Sequence, residues 1–125
     1  IAARELLYAR SALVMHAAAF GLQAIDMVQV NYLDIDLLER ECREAAELGF
    51  TGKTVVHPAQ IDVVQRAFTP SEKMITYARE IVTGAAAAQQ SGKGVFTHEG
   101  KLVDLPVVKR AENILARARA AGLEL

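Results

Sequence analysis

Apolar and polar positions alternate along the chain with two different periods, and the changes of period mark the elements. Residues 3–20 are strong helix formers, with Leu6, Leu7, Leu13, Val14 and Ala17 on one apolar stripe. Gly21 follows as a natural C-cap, because glycine enters the left-handed region without a Cβ clash. Residues 24–30 read as a short, mostly buried strand, and Asn31-Tyr32-Leu33-Asp34 as the loop after it. Asp34 or Asp36 is placed to cap a helix over residues 35–48, which Gly49 ends. Lys53-Thr54-Val55-Val56-His57 reads as a second strand, and Pro58 suits the first turn of a helix that runs to about Phe68. Thr69-Pro70-Ser71-Glu72 opens another helix, capped by Ser71 or Thr69, which continues to about Gln90. Residues 95–97 and 101–103 then predict a β-hairpin around a His98-Glu99-Gly100 turn. Asp104 at the N-cap side and Pro106 at N1 start a last helix, to about Ala121.

Strands that alternate with helices imply an α/β fold with parallel strands joined by right-handed crossovers. Two parallel strands do not complete a sheet, and both are expected to be buried on both faces. Other strands, from preceding residues or from other chains, are therefore expected beside them. A (β/α)8 barrel typically needs about 250 residues, so this chain would be roughly its second half. Ile1 is not an initiator methionine and helix formers begin almost at once, which suggests the remainder of a longer protein.

Composition narrows the class of partner. The 125 residues carry 14 Lys and Arg against 15 Asp and Glu, a formal net charge of -1. That balance argues against nucleic acid or an anionic membrane surface as the main partner. With 52% hydrophobic residues the chain has enough apolar surface to build a core. Cys42 is a single cysteine, so no internal disulfide forms. No uncharged apolar run approaches the roughly 18 residues a membrane span needs.

Several residues are candidates for chemistry, each with a plainer reading beside it. Gly52-Lys53-Thr54 looks like the end of a phosphate-binding loop, but Glu47 stands where the first glycine belongs and the segment leads into a strand. The plainer reading is a turn with Lys53 on the surface. The charges of the 35–48 helix stand at i,i+4 spacing (Glu39 and Arg43, Arg40 and Glu44, Arg43 and Glu47), as on a solvated face. His16 reads as structural and His98 as a solvated turn residue. His57 lies at the C-terminal end of a strand, where barrels and open α/β sheets place their sites. The alternative is a histidine hydrogen-bonded beneath the following loop. Asn31, Tyr32 and Asp34 hold the equivalent position after the first strand. Asp104, by position alone, is an N-cap carboxylate.

Taken in order, Tyr8-Ala9-Arg10-Ser11, Gly21-Leu22-Gln23-Ala24-Ile25-Asp26, Leu48-Gly49-Phe50-Thr51-Gly52-Lys53, Val56-His57-Pro58-Ala59-Gln60-Ile61 and Leu102-Val103-Asp104-Leu105-Pro106 resemble one family. The chain is similar throughout to the C-terminal half of the citrate lyase β-subunit-like proteins, in the citramalyl-CoA and malyl-CoA lyase branch of the HpcH/HpaI aldolase superfamily. The resemblance implies the C-terminal portion of a (β/α)8 TIM barrel over residues 1–68. Residues 69–125 would add a C-terminal helix, a β-hairpin and a lid helix. It implies Mg2+-dependent cleavage of a 3-hydroxyacyl-CoA thioester to acetyl-CoA and a 2-oxo acid, with the metal ligands expected upstream of Ile1. By the same resemblance Asp104 is the acid/base residue, Val55, Val56, His57 and Asn31 line the substrate site, and the protein is a homotrimer or higher homo-oligomer. The family often has aspartate where Asn31 stands. Two rival readings are a metal-dependent aldolase acting on free oxo acids and a non-catalytic half-barrel module that needs a partner chain. The compartment is left between bacterial cytoplasm and mitochondrial matrix.

Overall fold

A computed structural model describes residues 4–124. The chain divides between Phe68 and Thr69 into two compact units.

In the first unit a short 3₁₀ turn leads into helix α1, Leu7–Ala19. Gly21, at φ 66°, closes it as expected, and the Leu22 N–H returns to the Ala17 carbonyl at 2.8 Å. The expected apolar stripe is only half realised. Leu6, Leu7 and Leu13 are exposed, and α1 meets the core through Val14 and Ala17. Helix α2, Ile35–Leu48, starts at Asp34, whose carboxylate accepts the Leu37 N–H at 2.9 Å. It ends at Gly49, in the left-handed region at φ 103°, where an added Cβ would press on Val14. Leu38, Cys42 and Ala45 form its buried stripe and pack with Ala24, Phe50, Val63 and Phe68.

Between the helices, strand β1, Ile25–Asp26, pairs in parallel with β2, Gly52–Lys53. Both are shorter than the apolar runs suggest, because ladder pairing covers only two residues of each. In this chain taken by itself, apolar residues of these two segments are left uncovered. Ile25, Met27, Val30, Val55 and Val56 are exposed. The polar residues of the pair turn inward instead: Asp26 is 2% and Lys53 7% exposed. Lys53 is therefore not the surface residue the turn reading expects. Its ammonium lies 3.2 Å from Asp26 and 3.1 Å from Glu41 of α2. Arg10 of α1 closes on Asp26 through Nε and Nη2, each at 3.1 Å, and its guanidinium lies over the Phe50 ring. A bidentate arginine is the strong form of such a pair. The carboxylates of α2 reach across to other elements: Glu41 to Lys53, Glu44 to Arg10, Glu39 to Arg66. Among the described residues no ion pair runs along α2 at the expected i,i+4 spacing.

After β2 a 3₁₀ turn at Pro58–Gln60 opens helix α3, Ile61–Phe68. Burial pushes the Cys42 thiol above its ordinary pKa. Lys53 pulls it back, and Glu41, Asp26 and Glu39 add to the rise.

In the second unit, helix α4, Glu72–Gln90, is capped by Ser71, whose hydroxyl accepts the Met74 N–H at 3.3 Å. Strands β3, Phe96–His98, and β4, Lys101–Val103, form the expected antiparallel hairpin, in the register Phe96↔Val103. Its turn is the two residues Glu99 and Gly100, both at positive φ, as a tight hairpin of this twist demands. His98 is thus the last residue of β3, not a solvated turn residue. It packs edge-on against Tyr77, with Nε2 3.3 Å from Glu80. Helix α5, Leu105–Ala120, follows at once, so Pro106 is its second residue and not its first. Ala78, Ala111 and Ala118 are almost fully enclosed and let α4 and α5 approach closely, with Ile75, Ile81, Ile114 and Leu115 filling the remaining space. Gly84 of α4 has the Phe96 ring directly over it, where a Cβ would collide with the ring.

Two measurements check the buried and exposed ion pairs. Asp26→Ala leaves Lys53 and Arg10 enclosed with half their partners, and should lower unfolding free energy by about 3–5 kcal/mol. Arg66→Ala removes only the exposed pair to Glu39 and should cost about 0–1 kcal/mol in the same denaturant titration. The raised Cys42 pKa predicts a pH effect. The folded state holds the thiol proton more tightly than the unfolded chain. Its contribution is complete below the unfolded thiol's pKa of about 8.5 and fades as pH rises beyond it. The stability gap between wild type and Cys42→Ala should therefore shift against wild type from pH 7 to pH 10. A gap that stays constant contradicts the assignment.

Candidate active-site loops

The C-terminal ends of β1 and β2 lie side by side in the parallel pair, so the loops after them share one end of the first unit. Sequence spacing identifies these loops. The structure adds how they are fastened together. Gln60 is fully buried. Its Oε1 accepts the Val56 N–H at 2.9 Å and the His57 N–H at 3.2 Å. Its Nε2 donates to the Gln29 carbonyl at 2.9 Å, across 31 residues of sequence. One carboxamide thus ties the loop after β1 to the loop after β2. On the outside, the Tyr32 ring stacks on the His57 ring at 4.3 Å and 17°.

His57 caps the 3₁₀ turn, its Nδ1 accepting the Ala59 N–H at 3.2 Å. A ring nitrogen that accepts carries no proton, so the neutral imidazole keeps its proton on Nε2. His57 is exposed, as are Val55, Val56 and Asn31. The alternative reading of His57 holds for its hydrogen bond to the following turn, but the residue is exposed and not beneath the loop. Asn31 receives the Asp34 N–H on its carbonyl at 3.1 Å and lines an open depression with Leu33, Asp34, Ile35 and Asp36. The four residues expected to line the substrate site therefore stand on adjoining loops. The Gln60 clamp is absent from the sequence expectations. A signal for half of it exists in His57-Pro58-Ala59-Gln60, which has a cap residue, Pro at N1 and Gln at N3.

Asp104 stands in the second unit, directly after β4. It caps α5, with Oδ1 accepting the Val107 N–H at 3.4 Å. That is a long hydrogen bond. The residue is exposed, and Oδ2 has no hydrogen bond among the described residues. The carboxylate is held by one weak contact and remains accessible.

Among the described residues no three His, Cys, Asp or Glu side chains come together as a metal site. The carboxylates of Asp26, Glu41 and Glu44 are met by Lys53 and Arg10 instead. The residues present do not fit a magnesium ion. Among the described residues no helix is long and apolar enough to cross a membrane.

Comparison with known proteins agrees with this arrangement of strands and loops. Mitochondrial citramalyl-CoA lyase of Rattus norvegicus is 50% identical over 115 residues, which are 92% of this chain and 34% of the relative. The citrate lyase subunit beta-like protein of Mycobacterium tuberculosis is 40% identical over 117 residues, 94% of this chain and 41% of the relative. The crystal structure of protein CitE from Mycobacterium tuberculosis, in complex with magnesium, acetoacetate and coenzyme A, superposes with a TM-score of 0.75 at 37% identity. The match covers 94% of this chain and 42% of that one. The chain thus spans between one third and about two fifths of the length of the proteins it matches. The model of the C-C bond lyases of the TIM-barrel fold matches residues 8–123, and the chain belongs to that family.

Proposed function

We propose that the whole protein cleaves a carbon-carbon bond in a 3-hydroxyacyl-CoA thioester, citramalyl-CoA or malyl-CoA, to acetyl-CoA and a 2-oxo acid. The observation that carries the reading is the 50% identity to a citramalyl-CoA lyase across 92% of this chain. Within it, this chain supplies Asp104 and the two strand-end loops.

The chemistry assigns work to each. Cleavage breaks the bond between the thioester α-carbon and the carbinol carbon. The hydroxyl passes its proton to a base supplied by the rest of the whole protein and becomes the carbonyl of the 2-oxo acid. The electron pair passes to the α-carbon as the enolate of acetyl-CoA, which must then be protonated. Asp104 is suited to deliver that proton, or to remove it in the reverse direction. It is exposed and held by a single long cap bond. Val55, Val56 and Asn31 would border the acyl group, and His57 would offer its Nε2–H as a donor to the oxo-acid carboxylate. Magnesium accompanies the ligands in the M. tuberculosis structure. Since the described residues form no site for it, the metal's ligands are assigned to other residues of the whole protein, and no step here depends on it. A homo-oligomer, with a trimer as the first expectation, belongs to the same proposal.

The test separates chemistry from helix capping. Asparagine caps a helix about as well as aspartate. Asp104→Asn in the whole protein should leave α5 and thioester binding intact and lower turnover of citramalyl-CoA by about 10²–10⁴-fold. Wild-type turnover in the variant overturns the acid/base assignment. Competition of the wild-type reaction by free CoA separates a thioester lyase from an aldolase of free oxo acids, which CoA should not inhibit.

A further inference from the structure

We infer that Gln60 is a positioning residue that sets which acyl group the strand-end loops accept. The inference rests on the proposed lyase activity and extends it to the choice of substrate. Gln60 has no exposure to solvent, and both ends of its carboxamide are engaged. Oε1 holds the N–H groups of Val56 and His57, and Nε2 holds the Gln29 carbonyl. Those two N–H groups are therefore turned inward and are not offered to a ligand. Outward, this stretch presents its side chains, Val55 37% and Val56 57% exposed, and the His57 imidazole. Val56, exposed and held by Gln60 through its own N–H, makes an apolar wall suited to a methyl group. An apolar pocket discriminates one methyl or methylene by about 10–200-fold, provided the wall is held in place. Gln60 is the group that holds it, by fixing the Val56 backbone against the neighbouring loop. Such a wall selects a thioester whose carbinol carbon carries a methyl group, in preference to its analogue without one.

The experiment compares kcat/KM of the whole protein for citramalyl-CoA and for malyl-CoA, which lacks that methyl. It uses wild type, Gln60→Met and Thr51→Val. Methionine has nearly the volume of glutamine and makes none of the three bonds. Thr51→Val removes a cross-strand bond, Thr51 Oγ1 to the Ala24 carbonyl at 3.1 Å, from the other end of the same strand pair. A smaller folded fraction scales both substrates equally and cancels in the ratio. The ratio should fall toward malyl-CoA by about tenfold in Gln60→Met and stay at the wild-type value in Thr51→Val. A folded Gln60→Met with the wild-type ratio overturns the inference and leaves the lyase activity standing. Wild type that turns over neither thioester overturns both. Should Gln60→Met fail to fold, Gln60→Glu is read in the same way, since it keeps the acceptor for Val56 and His57 and loses the donor to Gln29. Failure of both variants to fold makes Gln60 a folding residue and overturns its assignment to positioning.

Discussion

A carboxylate with almost no access to water stands at the C-terminal end of the parallel strand pair, and its neighbours are arranged around that fact. Asp26 is tolerable there because Lys53 comes from the paired strand and Arg10 from the preceding helix. Taking such charges out of water costs several kcal/mol for each ion, and only close, well-oriented partners recover it. The requirement fixes three things at once. It sets β2 beside β1 in one register, since a shift of one residue would turn Lys53 to the other face. It draws α1 onto the strands through a helix that otherwise buries little. It also selects the face of α2, whose Glu41 and Glu44 complete the charge balance.

Register at the buried pair is transmitted to the loops. Three residues beyond Asp26 is Gln29, and three beyond Lys53 is Val56. These are the two backbone positions that Gln60 joins. A buried ion pair and a buried amide thus act in series. The first aligns the strands, and the second aligns the loops beyond them. The outer Tyr32–His57 stack adds a contact of a different kind at the same junction. The strand-end loops are short-range in sequence but are held by groups about 30 residues apart, which is how a rigid scaffold presents loop residues with a fixed geometry.

Local chemistry is legible in the sequence to the extent that its partners are local. Asp34, Ser71 and Asp104 can be read as caps because each accepts an N–H three residues on. Gly21 and Gly49 can be read as helix ends because only a glycine takes those φ angles cheaply. The hairpin is legible from Glu99-Gly100 and the alternation around it. Burial of the strands is not legible. Ile25, Val30, Val55 and Val56 look like core and are exposed in this chain, which spans only about a third to two fifths of its relatives, while Asp26 and Lys53 look like surface and are enclosed. Apolar character says that a residue tolerates burial. The groups opposite decide whether it is buried, and Asp26 and Lys53 find each other across 27 residues. Gln60 lies between these cases. Its bond to the His57 N–H belongs to a recognisable cap pattern, and its bond to the Gln29 carbonyl leaves no local trace.

The ring of Phe96 resting on Gly84 gives the long helix α4 an unusual vulnerability. Glycine inside a helix is ordinarily the first residue a protein engineer would replace, since alanine gains about 1 kcal/mol of intrinsic helix stability. Here that gain would come with a methyl group driven into the Phe96 ring, and the hairpin would be levered off the helix that supports it. Phe96 lies across from Val103, next to Asp104, so the disturbance would arrive one residue from the exposed carboxylate. A campaign to make this protein more heat-resistant by consensus or helix scoring could therefore produce a tougher helix and a blunter enzyme from the same substitution.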